Sequence, residues 1–183
     1  RRFLAFLCGL GLAASSVLTV RHFFLANYPR SLFEGSFCDI NAFFNCDSSA
    51  HSAIAHILGV PLGYFGLALG LFVALGAIFP SVDFERTTRT FVMWNLVGVA
   101  ALFVYSVGIL GSFCILCGLY YAFALIAFFV LRSSSIDRAE ARFTARYLRP
   151  SFKHAATFGV LTLLGAYAMS LYHDARKEAA FGG

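Results

Sequence analysis

Five apolar stretches, each about as long as the roughly 17 to 25 helical residues needed to cross a hydrocarbon core, leave this chain few folds other than a bundle of membrane-spanning helices. They run over residues 3–26, 57–79, 90–112, 113–131 and 155–172. Composition agrees: 60% of the residues are hydrophobic and 13% charged, with a mean hydropathy of +0.77, whereas an ordinary soluble domain carries about 25% charge. The first stretch has the position of a signal peptide, but it is long and lacks a clear small-residue cleavage site, so it is read as a retained helix. Residues 1–183 are therefore expected to form one all-α transmembrane domain, with an outer loop over residues 27–56.

The net charge of +5 does not point to nucleic acid. The basic residues gather at the ends of the apolar stretches, and no separate basic domain or basic-aromatic patch is present. One side of the five spans holds ten Lys and Arg (Arg1, Arg2, Arg86, Arg89, Arg132, Arg138, Arg142, Arg146, Arg149, Lys153) and the other holds four (Arg21, Arg30, Arg176, Lys177). The positive-inside rule then places the N-terminus in the cytoplasm and the C-terminus outside. The 27–56 loop and the 112–117 junction share the outer face, an oxidising compartment in which disulfides persist.

Four of the five cysteines fall in those two places. Cys38 and Cys46 lie in the outer loop, and Cys114-Ile-Leu-Cys117 heads the fourth span. Two dithiols on one face of a membrane can pass an oxidising equivalent by thiol–disulfide exchange, provided they meet in space. A CxxC at a helix N-terminus is also met by unpaired N–H groups and the positive end of the helix dipole, which favour a thiolate. Taken singly, Cys38 and Cys46 are equally open to a purely structural disulfide, and Cys114 and Cys117 to packing as small hydrophobes. The coincidence of two pairs on one face favours redox chemistry. A four-thiolate zinc site is disfavoured by the seven-residue gap within the loop pair, and no metal is expected. Cys8, alone in the first span, is assigned to packing.

Within the loop, Asp47, Ser48 and Ser49 are good N-caps for a short interfacial helix over residues 49–58, which Gly59-Val60-Pro61 breaks. Such a helix makes the loop a lid over the bundle mouth. His51 and His56 lie about 140° apart on it and share no face; both are read as solvated or interfacial. Ser52 on the lid and Tyr121, one turn after Cys117, are hydroxyl donors suited to a carbonyl ligand lying against that thiol.

The order Cys38-Asp39, Asn45-Cys46-Asp47, Ser52, Leu58-Gly59-Val60-Pro61-Leu62-Gly63 and Phe113-Cys114-Ile115-Leu116-Cys117 resembles the vitamin K epoxide reductase family in its bacterial form. The resemblance implies a four-helix transmembrane bundle around a quinone, ubiquinone or menaquinone, with a fifth transmembrane helix outside it. It also implies a thioredoxin-like partner, free or fused beyond Gly183, and residence in a bacterial inner membrane. Carried over, Cys38 and Cys46 become a shuttle pair, Cys114 and Cys117 the active-site pair, Ser52 a lid residue, and Tyr121, Ser52 and Phe113 the quinone contacts. The expected activity is a quinone-dependent thiol oxidase that makes disulfides for secreted proteins. The alternatives are quinone epoxide reduction and a non-enzymatic membrane protein that binds metal or senses redox state.

Overall fold

The computed structural model describes residues 2–28, 40–79, 81–132 and 151–181. These hold six helices, α1 (Arg2–Asn27), α2 (Cys46–Ala50), α3 (Leu62–Ile78), α4 (Val82–Gly108), α5 (Ile115–Arg132) and α6 (Phe152–Phe181), and a hairpin of β1 (His56–Ile57) and β2 (Val60–Pro61). Helices α1, α4, α5 and α6 are long and apolar enough to cross a membrane, and α3 is a shorter apolar helix of 17 residues. The chain is an all-α membrane bundle.

The packing is that of a protein whose solvent is lipid. Trp94, Phe129 and Leu163 are each more than 60% exposed, while Ser15, Ser16, Thr87 and Thr88 are among the most buried side chains. Three of these hydroxyls bond back to their own helices: Ser15 Oγ donates to the Gly11 carbonyl at 2.8 Å, Thr87 Oγ1 to that of Asp83 at 2.8 Å and Thr88 Oγ1 to that of Phe84 at 2.9 Å. Those three groups are then satisfied without water.

Helix α1 is central, packed most closely on α3 and then on α5, with α4 closing the ring against α5 and α3. The α1–α3 seam is made by small residues spaced four apart, Gly9 and Ala13 facing Gly70 and Ala74. A Cβ added at Gly9 would fall 2.6 Å from the Ala74 nitrogen, and one at Gly70 would fall 2.5 Å from the Ala13 nitrogen. Close backbone approach of this kind replaces the hydrophobic drive that lipid cannot supply between helices.

Helix α6 lies outside this four-helix ring and is tied to it at both ends. Near its start, the Ser151 N–H donates to Thr87 Oγ1 at 2.9 Å, and Phe158 packs on Phe72 and Phe91. Near its other end, His173 Nε2 meets the Tyr28 hydroxyl at 2.8 Å, and the His173 ring stacks against His56 of the hairpin. Burial, and secondarily the Asp174 carboxylate, raise the Tyr28 phenol above its ordinary value, which keeps this hydroxyl protonated.

Helix ends depart from the apolar stretches in both directions. Helix α4 begins at Val82 rather than near 90, taking in Asp83, Glu85, Arg86 and Arg89, and α6 continues past 172 through His173, Asp174 and Arg176. Hydropathy marks where lipid contact stops, whereas a helix continues while its backbone is paired. Helix α3 is shortened instead, because Ile57 and residues 60–61 are taken up by the hairpin.

Candidate active site

The lid differs from the helix expected over residues 49–58. Helix α2 starts earlier, at Cys46, and spans five residues; its N-cap is Asn45, whose Oδ1 accepts from the Ser48 N–H at 2.8 Å. After a turn, His56 pairs with Pro61 and Ile57 with Val60 across Leu58 and Gly59, so Ile54, Ile57 and Leu58 lie outside any helix. Both loop residues have positive φ, 51° and 79°, the arrangement that a two-residue hairpin loop requires. Leu58 accepts this strained conformation at a 92% exposed tip. His51 and His56 are exposed, His56 with its ring also against Phe23.

What selects Asn45 over the three later caps is a main-chain strap. The Phe113 N–H donates to the Phe43 carbonyl at 2.6 Å, and the Asn45 N–H to the Phe113 carbonyl at 3.3 Å, a parallel bridge between lid and α5 approach. Further ties come from α1 and from the segment before α5. Asn27 Nδ2 donates to the Ala50 carbonyl at 3.1 Å, His22 Nε2 lies 3.0 Å from Asp47 Oδ1, and the Ser112 hydroxyl donates to that of Ser48 at 3.0 Å. Replacing the cap, Asn45→Ala, is expected to cost about 1 kcal/mol. Hydrogen exchange at the α2 amides should then rise about fivefold, with the α5 amides unchanged.

The strap brings sulfur to sulfur. Cys114 immediately precedes α5 and acts as its cap, its Sγ accepting the Cys117 N–H at 3.4 Å. On its other side Cys114 Sγ lies 3.1 Å from Cys46 Sγ, with Cys46 1% and Cys114 4% exposed. Cys46 is held in a disulfide, whereas Cys114 and Cys117 are not disulfide-bonded. The Ser49 side chain, from α2, hydrogen-bonds Cys117. Cys38 lies outside the described residues. Cys8, far from this cluster in sequence, is buried in the bundle core among Leu12, Leu69 and Val73.

Beneath the lid a cavity of about 280 Å³ opens among α1, α3, α4 and α5, with Cys46, Cys114 and Cys117 on its wall. Of the three expected ligand contacts, Tyr121 and Ser52 line it; Ser52 also donates to the Ser49 carbonyl at 2.8 Å. Phe113 is not part of the lining. Its ring sits among Phe44, Phe103 and Tyr121, and its backbone forms the strap. Among the polar lining residues, His22 and Asn95 went unremarked in the sequence, and Ser49 was read only as a helix cap. Asn95 carried a readable signal as the one amide in an apolar span, since polar groups at that depth are costly and tend to serve function.

The walls suit a flat, apolar, carbonyl-bearing molecule. They are mostly hydrocarbon, with a few hydroxyl and amide donors at fixed points, and their thiols are positioned against whatever occupies the space. No curated protein and no solved structure matches the chain. The family model described as Vitamin K epoxide reductase family matches residues 2–131, the stretch that contains the lid, the four-helix ring and both described partners of the sulfur contact; the chain belongs to that family of membrane oxidoreductases that act on quinone or vitamin K.

Proposed function

We propose that this chain is a membrane thiol oxidase. It takes electrons from a reduced thioredoxin-like partner, free or fused, through Cys38 and Cys46, passes them to Cys114 and Cys117, and delivers them to ubiquinone or menaquinone. The observation that carries this reading is the 3.1 Å contact between Cys114 Sγ and Cys46 Sγ at the wall of the cavity.

In the first step the partner's thiolate attacks Cys38, breaking the Cys38–Cys46 disulfide and releasing Cys46 as a thiolate. Cys46 attacks Cys114 of an oxidised Cys114–Cys117 pair; a Cys46–Cys114 disulfide forms and Cys117 leaves as a thiolate, with Ser49 as hydrogen-bond partner. The partner's second thiol then displaces Cys38, and Cys38 reclaims Cys46, so that Cys114 and Cys117 hold the electron pair as two thiols. Cys114 and Cys117 outside any disulfide, beside a disulfide-bonded Cys46, fit that point in the cycle. A bound quinone supplies a two-electron, two-proton acceptor. Cys114 and Cys117 return to a disulfide as they give up the pair; Tyr121 would offer its hydroxyl to a quinone carbonyl, while Ser52, whose hydroxyl is donated to the Ser49 carbonyl, would line the wall beside it. The direction rests on relative potentials, about 30 mV corresponding to roughly 1.4 kcal/mol for a two-electron couple.

The excess of Lys and Arg on one side supports a cytoplasmic N-terminus, with the lid and both cysteine pairs on the outer face of a bacterial inner membrane. The test is the ultraviolet absorbance of short-chain ubiquinone and menaquinone analogues mixed with the purified chain and a reduced thioredoxin-like protein. Catalytic loss of the quinone band is the expected result. An unchanged band, with turnover of a quinone epoxide in its place, would overturn the oxidase reading in favour of epoxide reduction.

A further inference from the structure

The cavity has a second polar pole that the thiol chemistry leaves unused. Tyr120 lies three residues beyond Cys117, about 4.5 Å further along α5, and its hydroxyl donates to Asn95 Oδ1 on α4 at 2.8 Å. That bond fixes the amide plane through its oxygen. The nitrogen of the same amide, Asn95 Nδ2, is buried and has no hydrogen-bond partner among the described residues, although Asn95 lines the cavity. The Ser16 hydroxyl across the cavity, from α1, is in the same condition.

Their surroundings leave little slack. A Cβ at Gly66 would fall 2.6 Å from Ser16 Oγ and 2.8 Å from Tyr120 Cε2, so this end of the cavity keeps its shape only with glycine there. A buried donor without an acceptor is costly in a low-dielectric interior and calls for an explanation. The apolar side chains on either side of Asn95 in α4, Val92 to Trp94 and Leu96 to Val97, avoid that cost. An acceptor reaching Asn95 Nδ2 from inside the cavity removes it.

A quinone carries two carbonyls on opposite edges of one ring. With one carbonyl against Cys117 and Tyr121, the other would lie further along α5, where Tyr120 and Asn95 line the same cavity. Resting on the quinone-linked reading above, the geometry points to Asn95, held by Tyr120, as the donor to the quinone carbonyl remote from the thiols. It is a binding residue that orients the ring and favours ligands with a carbonyl at each end.

The probe is menadione labelled with ¹³C at each carbonyl in turn, bound to the full chain in detergent. Infrared spectroscopy reads each carbonyl, and equilibrium dialysis reads affinity. In the unsubstituted protein both carbonyl bands are expected below their free positions. In Asn95→Leu one band should return to its free position and affinity fall about fivefold to tenfold, the effect of a single hydrogen bond, while the melting temperature of the ligand-free protein does not drop. Tyr120→Phe, which frees the amide without removing it, should shift the same band less. Unchanged bands and affinity in Asn95→Leu would overturn the assignment, and a lowered melting temperature with unchanged bands would assign Asn95 to helix packing instead. Failure of menadione to bind the unsubstituted protein would overturn the quinone reading itself, a separate result from failure of the Asn95 assignment alone.

Discussion

Cys117→Ser is expected to abolish quinone reduction, by about a thousandfold or more as for loss of a reacting nucleophile elsewhere, and to leave a crosslink in its wake. With Cys117 gone, Cys114 has no partner within its own pair, yet its sulfur still lies 3.1 Å from Cys46. A Cys46–Cys114 disulfide then forms by attack of the Cys114 thiolate on Cys46 of the Cys38–Cys46 disulfide, releasing Cys38, and no Cys117 thiol remains to reopen it from the Cys114 side. It should build up in the stalled variant and be visible as a peptide pair by mass spectrometry after alkylation. Cys114→Ser should abolish activity to the same extent without that crosslink. Full activity in either variant, or an equal crosslink yield in both, would sink the assigned order of transfer. A protein in which these cysteines only pack would lose stability, not turnover, from both substitutions.

The second large effect concerns the helix seam. Gly70→Val is expected to cost about 3 kcal/mol or more, because overpacking costs most where backbone must yield. The first atom of the new side chain already falls 2.5 Å from the Ala13 nitrogen and 2.9 Å from the Gly9 carbonyl oxygen. Gly159→Ala on α6, where an added Cβ meets nothing within 4 Å, is the matched control and should stay within about 0.5 kcal/mol. Thermal unfolding in detergent compares the two. Equal melting temperatures would mean that α1 and α3 tolerate separation and that the seam contributes little.

That the chain is an all-α membrane bundle was readable in the sequence because lipid contact is a composition-level property, visible without knowing what packs on what. Facing was not. Helix α4 is apolar on nearly every side, so its periodicity carries little information about which side chains turn inward, and Asn95 was passed over although it stands alone among hydrocarbons. The lid failed for a different reason. Asn45, Asp47, Ser48 and Ser49 are all acceptable caps by type. The choice among them falls to the bridge from Phe43 and Asn45 to Phe113, a contact across about seventy positions that no local pattern encodes. The same bridge bears on Phe113, expected as a quinone contact: its backbone forms the strap, and the residue is not part of the cavity lining. The cysteines were easier: residue type and shared face placed Cys46 and Cys114 in one compartment, and the structure adds that they touch.

That bridge also bears on how such a protein can change over generations. The spacing between the two sulfurs is set by amide and carbonyl groups of residues 43, 45 and 113, atoms that nearly every amino acid brings. Side chains at Phe43, Phe44 and Phe113 are thereby left open to drift with whatever surrounds them, while the separation of the two sulfurs is inherited unchanged. Proline at position 45 or 113 is the exception, for it alone removes the hydrogen on which the spacing depends.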